Sequence, residues 1–90
     1  MTSQQVTLIN ASGLHARPAS DFVKMAKSFT SKITVRNIDG GTAVNAKSIV
    51  MVLSQGLCKD MVVEIAADGE DEAAAVSALA DLVRSGFGED

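Results

Sequence analysis

The chain carries two hydrophobic rhythms in turn. Around Gln5–Ile9, Val6 and Leu8 alternate with Gln5, Thr7 and Ile9, the two-residue period of a strand. Asn10-Ala11-Ser12-Gly13 breaks it. From Ala16 to about Phe29 the spacing changes: Ala19, Phe22, Val23, Ala26 and Phe29 recur as on one face of a helix. Pro18 falls near its first turn, where a missing N–H costs nothing. Lys32–Asn37 alternates again, with Ile33 and Val35 on one side. Asp39-Gly40-Gly41 predicts a hairpin turn, and Thr42–Asn45 a short returning strand. Ser48 to about Leu53 predicts a short helix with Ser48 as its N-cap, ended by Gln55-Gly56. Met61–Ala67 is the clearest strand, with Met61, Val63, Ile65 and Ala67 on one face. After Asp68-Gly69, the acids Glu70-Asp71-Glu72 open a last helix where its dipole favours them. Val76, Leu79, Ala80, Val83 and Phe87 form that helix's buried stripe, and Gly86 and Gly88 close it.

The order is βαββαβα. Strands and helices do not alternate strictly, so the pattern predicts an α+β fold, a mainly antiparallel sheet covered on one side by helices. The 90 residues suit one domain, spanning residues 1–90, with a single core. With no Trp and no Tyr, that core must be aliphatic, completed by three Phe.

Composition removes several classes of function. No apolar run approaches the roughly 20 residues of a membrane span. Met1–Gln5 is polar and lacks the basic start and apolar run of a signal peptide. The one Cys, Cys58, cannot form an internal disulfide, so a cytoplasmic location is expected. Lys59 alone is weak support for a reactive thiol at Cys58. The net charge of −3 hides a division. Residues 1–59 hold seven Lys or Arg against two Asp, and residues 60–90 hold one Arg against nine acids. The basic part could steer an acidic partner or an anion. Direct nucleic-acid binding is disfavoured, because no strand carries an aromatic for base stacking.

The chemistry concentrates in Gly13-Leu14-His15-Ala16-Arg17-Pro18-Ala19. The only imidazole stands just before a helix N-terminus, whose first N–H groups lack intrahelical partners and form an anion site. Arg17 adds a cation with bidentate geometry for phosphate. Gly13 allows a sharp turn and close backbone approach. The helix end disfavours imidazolium by some tenths of a kcal/mol, up to about 2 in favourable geometry. A neutral, nucleophilic ring is therefore expected at His15. A lone His at a helix start is more often a cap or a surface residue. No Cys or second His lies near it in sequence, which speaks against a metal.

The same seven residues resemble the active-site signature of the HPr family, the histidine phosphocarriers of the bacterial phosphoenolpyruvate:sugar phosphotransferase system. Ala43-Val44-Asn45-Ala46-Lys47-Ser48-Ile49 resembles that family's second motif, Val-Asn-x-Lys-Ser, entering a short helix. Two separated motifs and the element order extend the resemblance over essentially the whole chain. It implies an open-faced β-sandwich, a four-stranded antiparallel sheet with three helices on one face. It also implies that His15 accepts a phosphoryl group on Nδ1 from phosphorylated enzyme I and passes it to IIA domains of sugar permeases. Arg17 would contact that group, and Ser12 and the N–H groups of Ala16 and Arg17 would complete the site. No metal or cofactor is implied.

Ser48 matches the serine that an HPr kinase/phosphorylase modifies in many Gram-positive members, whose phosphorylated form binds a catabolite-control transcription regulator. Lys47-Ser48-Ile49 resembles the Gram-positive type. Met51 departs from it, replacing a glycine, and the hairpin around Asn37–Gly41 is about two residues longer than usual. Ile49, Val50 and Leu53, with Met51, give the short helix more apolar surface than it can bury. Beside the basic Arg17, Lys24 and Lys27 they suit transient docking of an acidic partner. A carrier that meets several partners is expected to be a monomer. Three competing readings stand beside this one: a mainly regulatory paralogue acting as a catabolite-repression corepressor, a carrier for a nitrogen or dihydroxyacetone-kinase branch, and a small acyl-phosphate hydrolase.

Overall fold

The computed structural model describes residues 1–88; Glu89 and Asp90, two of the acids counted above, lie outside the described residues. The elements are β1 (Thr2–Thr7), α1 (Ala16–Lys27), β2 (Lys32–Asn37), β3 (Val44–Asn45), α2 (Ile49–Ser54), β4 (Val62–Asp68) and α3 (Glu72–Arg84), followed by a 3-10 turn, Gly86–Gly88. The strands form one sheet in the order β1-β4-β2-β3, antiparallel throughout.

Register follows from the alternation. Val6 pairs with Val63, Val35 with Ile65 and Ile33 with Ala67, so the buried positions of three strands share one face. The helices pack there over Phe22, Leu79, Val76 and Val83. At about 25 cal/mol per Å² of apolar surface, this layer is the main source of stability. The other face stays open and polar. On it the paired residues Arg36 and Glu64 form a 2.9 Å ion pair. The fold is thus the open-faced sandwich expected from the sequence.

Several boundaries differ from the sequence expectation. Strand β1 begins at Thr2 and not at Gln5, because Thr2 and Gln4 lie on an edge strand where inward positions are only half-buried. Leu8 continues beyond the ladder, exchanging hydrogen bonds with Met61 (2.9 Å) and Asp60 (2.7 Å). Helix α1 stops at Lys27, and Phe29 packs half-buried at the edge of the core. Strand β3 keeps only Val44 and Asn45, and Gly41 N–H closes the hairpin on the Asn37 carbonyl at 2.9 Å. Phe87 is not in α3. Gly86 and Phe87 both take positive φ, which ends the helix before the periodic pattern ends.

The acids at the start of α3 tie distant parts of the chain together. The Asp71 carboxylate accepts from the N–H groups of Thr30 (2.8 Å) and Ser31 (3.0 Å) and from both hydroxyls. These bonds, the Ser31 hydroxyl foremost, hold its pKa down to about 2. Glu72 accepts from the Thr2 hydroxyl and pairs with the Met1 amino group at 3.1 Å. Helix α3 is thereby fastened to the α1–β2 connection and to the start of β1.

Candidate functional site

The loop from Asn10 to His15 is held by two sets of bonds. The Asn10 side chain is buried and donates from Nδ2 to the Gly13 carbonyl at 2.9 Å, while Gly13 N–H donates to the Asn10 carbonyl at 3.1 Å. Leu14 N–H reaches across to the Leu57 carbonyl at 2.9 Å. Gly13 takes φ +60, and a Cβ there would lie 2.5 Å from the Leu57 oxygen. The glycine is therefore needed twice, for its conformation and for the close approach of a second loop. Leu14, fully buried, anchors the loop in the core.

His15 follows as the N-cap of α1, with extended backbone and no side-chain capping bond. Its ring is thus not committed to the helix: His15 holds the N-cap position raised by the sequence, but not through its side chain. Ala16 takes φ +51, a left-handed conformation that costs a non-glycine residue roughly 1–2 kcal/mol. A left-handed residue leading into a right-handed helix turns successive N–H groups to one concave side, the arrangement that cradles anions. Strain of this kind is sustained where surrounding structure overdetermines it. Here that structure is the pinned loop on one side and the packed Pro18 and Ala19 on the other.

Ser12 lies exposed in the turn before Gly13. Arg17 stands in the first turn of α1 with its side chain 90% exposed, its Nε 4.0 Å from Asp21 Oδ2. At that distance and exposure the pair holds the guanidinium only weakly, which leaves Arg17 able to turn to an anion. Among the described residues no cluster of His, Cys, Asp and Glu could hold a metal ion.

The second motif is explained by packing. Ala46 is buried and its N–H donates to the Ile33 carbonyl at 2.9 Å. Asn45 Oδ1 accepts from Lys47 N–H at 2.9 Å, and Lys47 Nζ donates to the Phe29 carbonyl at 2.7 Å. These bonds deliver Ser48 to the start of α2, where its Oγ accepts from Met51 N–H at 3.4 Å. On α2, Val52 alone is fully buried, while Ile49, Val50, Met51 and Leu53 are exposed. Ile49 shares a shallow groove with Lys24 and Lys27 of α1, which brings one of the apolar residues expected to dock beside two of the basic ones.

One neighbour of His15 was not legible in the sequence. Cys58 Sγ lies 3.7 Å from His15 Nε2, across 43 positions of chain. The Leu14–Leu57 bond and the fit of Gly13 against Leu57 and Cys58 place it there.

A family model described as the PTS HPr component phosphorylation site matches residues 2–85. The chain belongs to the HPr family. It is 45% identical over 83 residues to phosphocarrier protein HPr of Haemophilus influenzae, covering 92% of this chain and 95% of that one. With phosphocarrier protein HPr of Neisseria meningitidis it shares 40% over 89 residues, covering 99% and 98%. A crystal structure of HPr from Thermoanaerobacter tengcongensis superposes with a TM-score of 0.94 at 43% identity, covering 100% of this chain and 99% of that one. The fold and both motifs thus sit in a family of phosphocarriers.

Proposed function

We propose that this protein is a single-domain phosphocarrier that receives a phosphoryl group on His15 Nδ1 from phosphorylated enzyme I. It then hands the group to IIA domains of sugar permeases. The observation that carries this reading is the placement of an uncapped imidazole at the head of α1, beside a left-handed Ala16 and an exposed Arg17. The ring supplies a nucleophile, the first-turn N–H groups of Ala16 and Arg17 supply donors, and the guanidinium supplies charge. Ser12, exposed in the turn before Gly13, would complete the site. No described helix is long and apolar enough to cross a membrane, and the protein works in the cytoplasm beside its partners.

Docking falls to the groove and patch formed by Lys24, Lys27, Ile49, Val50 and Leu53. An apolar patch with a basic rim suits brief, charge-steered encounters. Ser48 is the regulatory position. A phosphate there would lie at the start of α2, where the dipole favours it, and would add negative charge to the docking surface. An HPr kinase/phosphorylase and a catabolite-control regulator are its partners in this role.

Incubation with enzyme I and phosphoenolpyruvate tests the reading. Wild type gains an acid-labile, base-stable phosphate, and His15→Ala gains none. Label that survives His15→Ala overturns the assignment. Ser48→Ala retains transfer through His15 but loses labelling by the serine kinase.

A further inference from the structure

Cys58 is more than a filler next to the imidazole. Its thiol sulfur lies 3.3 Å from the Gly56 carbonyl oxygen and 3.7 Å from His15 Nε2. A thiol has one proton, and a carbonyl oxygen can only accept. With that proton directed to Gly56, the side of Sγ facing His15 presents a lone pair. In that arrangement the 3.7 Å contact is a hydrogen bond when Nε2 is the donor. A neutral imidazole carries a single N–H, so Nδ1 is left as the bare nitrogen.

We propose that Cys58 is a positioning residue for phosphotransfer: the chain Nε2–H···Sγ–H···O=C of Gly56 holds His15 in the tautomer and orientation that expose Nδ1. The inference rests on the phosphocarrier reading above. It requires two supports, and both are present. Cys58 is fixed against the site through Leu14–Leu57 and Gly13. Its own N–H donates to Met61 Sδ at 3.3 Å, which steadies the loop behind it.

The transfer step is balanced on this geometry. The Nδ1 lone pair attacks phosphorus of a phosphoimidazole donor. The Nδ1–P bond forms and the donor's P–N bond breaks, its electron pair leaving with the donor nitrogen. The proton on Nε2 stays where it is, and the positive charge left on the ring lies beside a polarizable sulfur. Passing the group on reverses these changes. Without Sγ, the ring can rotate or carry its proton on Nδ1, and either change removes the nucleophile for part of the time.

The test compares Cys58→Ala and Cys58→Ser with wild type, using imidazole ¹⁵N NMR at a pH where the ring is neutral and single-turnover transfer from phosphorylated enzyme I. Wild type should show one tautomer, with the proton on Nε2 and slow to exchange with water. Cys58→Ala should lose the exchange protection and show Nδ1–H character. Its transfer rate should fall on the order of three- to tenfold, the worth of about one net hydrogen bond, with unchanged affinity for enzyme I. Cys58→Ser, whose hydroxyl can repeat both bonds, should restore protection and rate. An Ala variant that keeps the protected Nε2–H and the wild-type rate overturns the proposal, as does a wild-type ring protonated on Nδ1. Should wild type accept no phosphate, the carrier reading fails, while the NMR comparison still decides the role of Cys58 in holding the ring.

Discussion

At the scale of single residues, the chemistry depends on backbone conformations that few side chains permit. Gly13 is the clearest case. An alanine there faces φ +60 and a backbone oxygen 2.5 Å from its Cβ. Gly56 has nearly the same φ, +61, but nothing lies within 4 Å of a Cβ built on it. Comparing the two separates strain from collision. Gly56→Ala should cost about 1–2 kcal/mol through conformation alone. Gly13→Ala should cost about 1–3 kcal/mol more, because the Leu57–Cys58 loop must move, and should slow phosphotransfer as well. Urea unfolding of both variants measures this, and equal losses would show that the close approach carries no energy. His15, Arg17 and Gly13 were legible in the sequence because they fall within seven consecutive positions. Cys58 was not. Its meeting with His15 is made by hydrogen bonds between two loops, and no periodicity records them.

At the scale of elements, the apolar rhythms together with the turn and cap signals foretold the three α-helices and four strands, and their ends were lost where polar residues took structural work. Strand β1 begins in Thr2-Ser3-Gln4 because an edge strand needs little apolar surface. The acids before α3 read as simple dipole partners, yet Asp71 is the joint between α3 and the Thr30–Ser31 connection. This joint makes stability depend on pH. The folded-state pKa of Asp71 lies below its ordinary 3.8, at about 2. A depressed carboxylate stabilises the fold above the unfolded value, and that contribution fades as the pH falls from there towards about 2. Asp71→Ala should therefore be less stable than wild type at neutral pH, and the difference should narrow as the pH drops below 3.8. Denaturant midpoints for both proteins at neutral pH and near pH 2 provide the measurement. A difference that does not change with pH would show that the bonds to Thr30 and Ser31 do not depend on ionisation.

At the scale of the whole molecule, positive charge and exposed apolar surface come together in one region. Lys24 and Lys27 stand exposed on α1, next to Ile49 of α2. Val50, at 71% exposure, extends the apolar part. The open face of the sheet is arranged differently. There Arg36 is already paired with Glu64, and Lys32 stands at the far side of β2 from the helices. If long-range attraction to an acidic partner operates through the α1–α2 face, it must weaken as the Debye length shrinks from about 30 Å at 0.01 M salt to about 3 Å at 1 M. The rate of association with enzyme I should therefore fall steeply with ionic strength. Reversing the charge with Lys24→Glu and Lys27→Glu together should lower that rate on the order of tenfold or more at low salt. It should also flatten the salt dependence and leave thermal stability within about 0.5 kcal/mol. Lys32→Glu changes the net charge in the same direction but lies on the other face, and should have little effect. Stopped-flow association rates for the three proteins across a salt series decide the matter. Equal slowing per charge by Lys32→Glu would mean that overall charge, and not the α1–α2 face, guides the encounter.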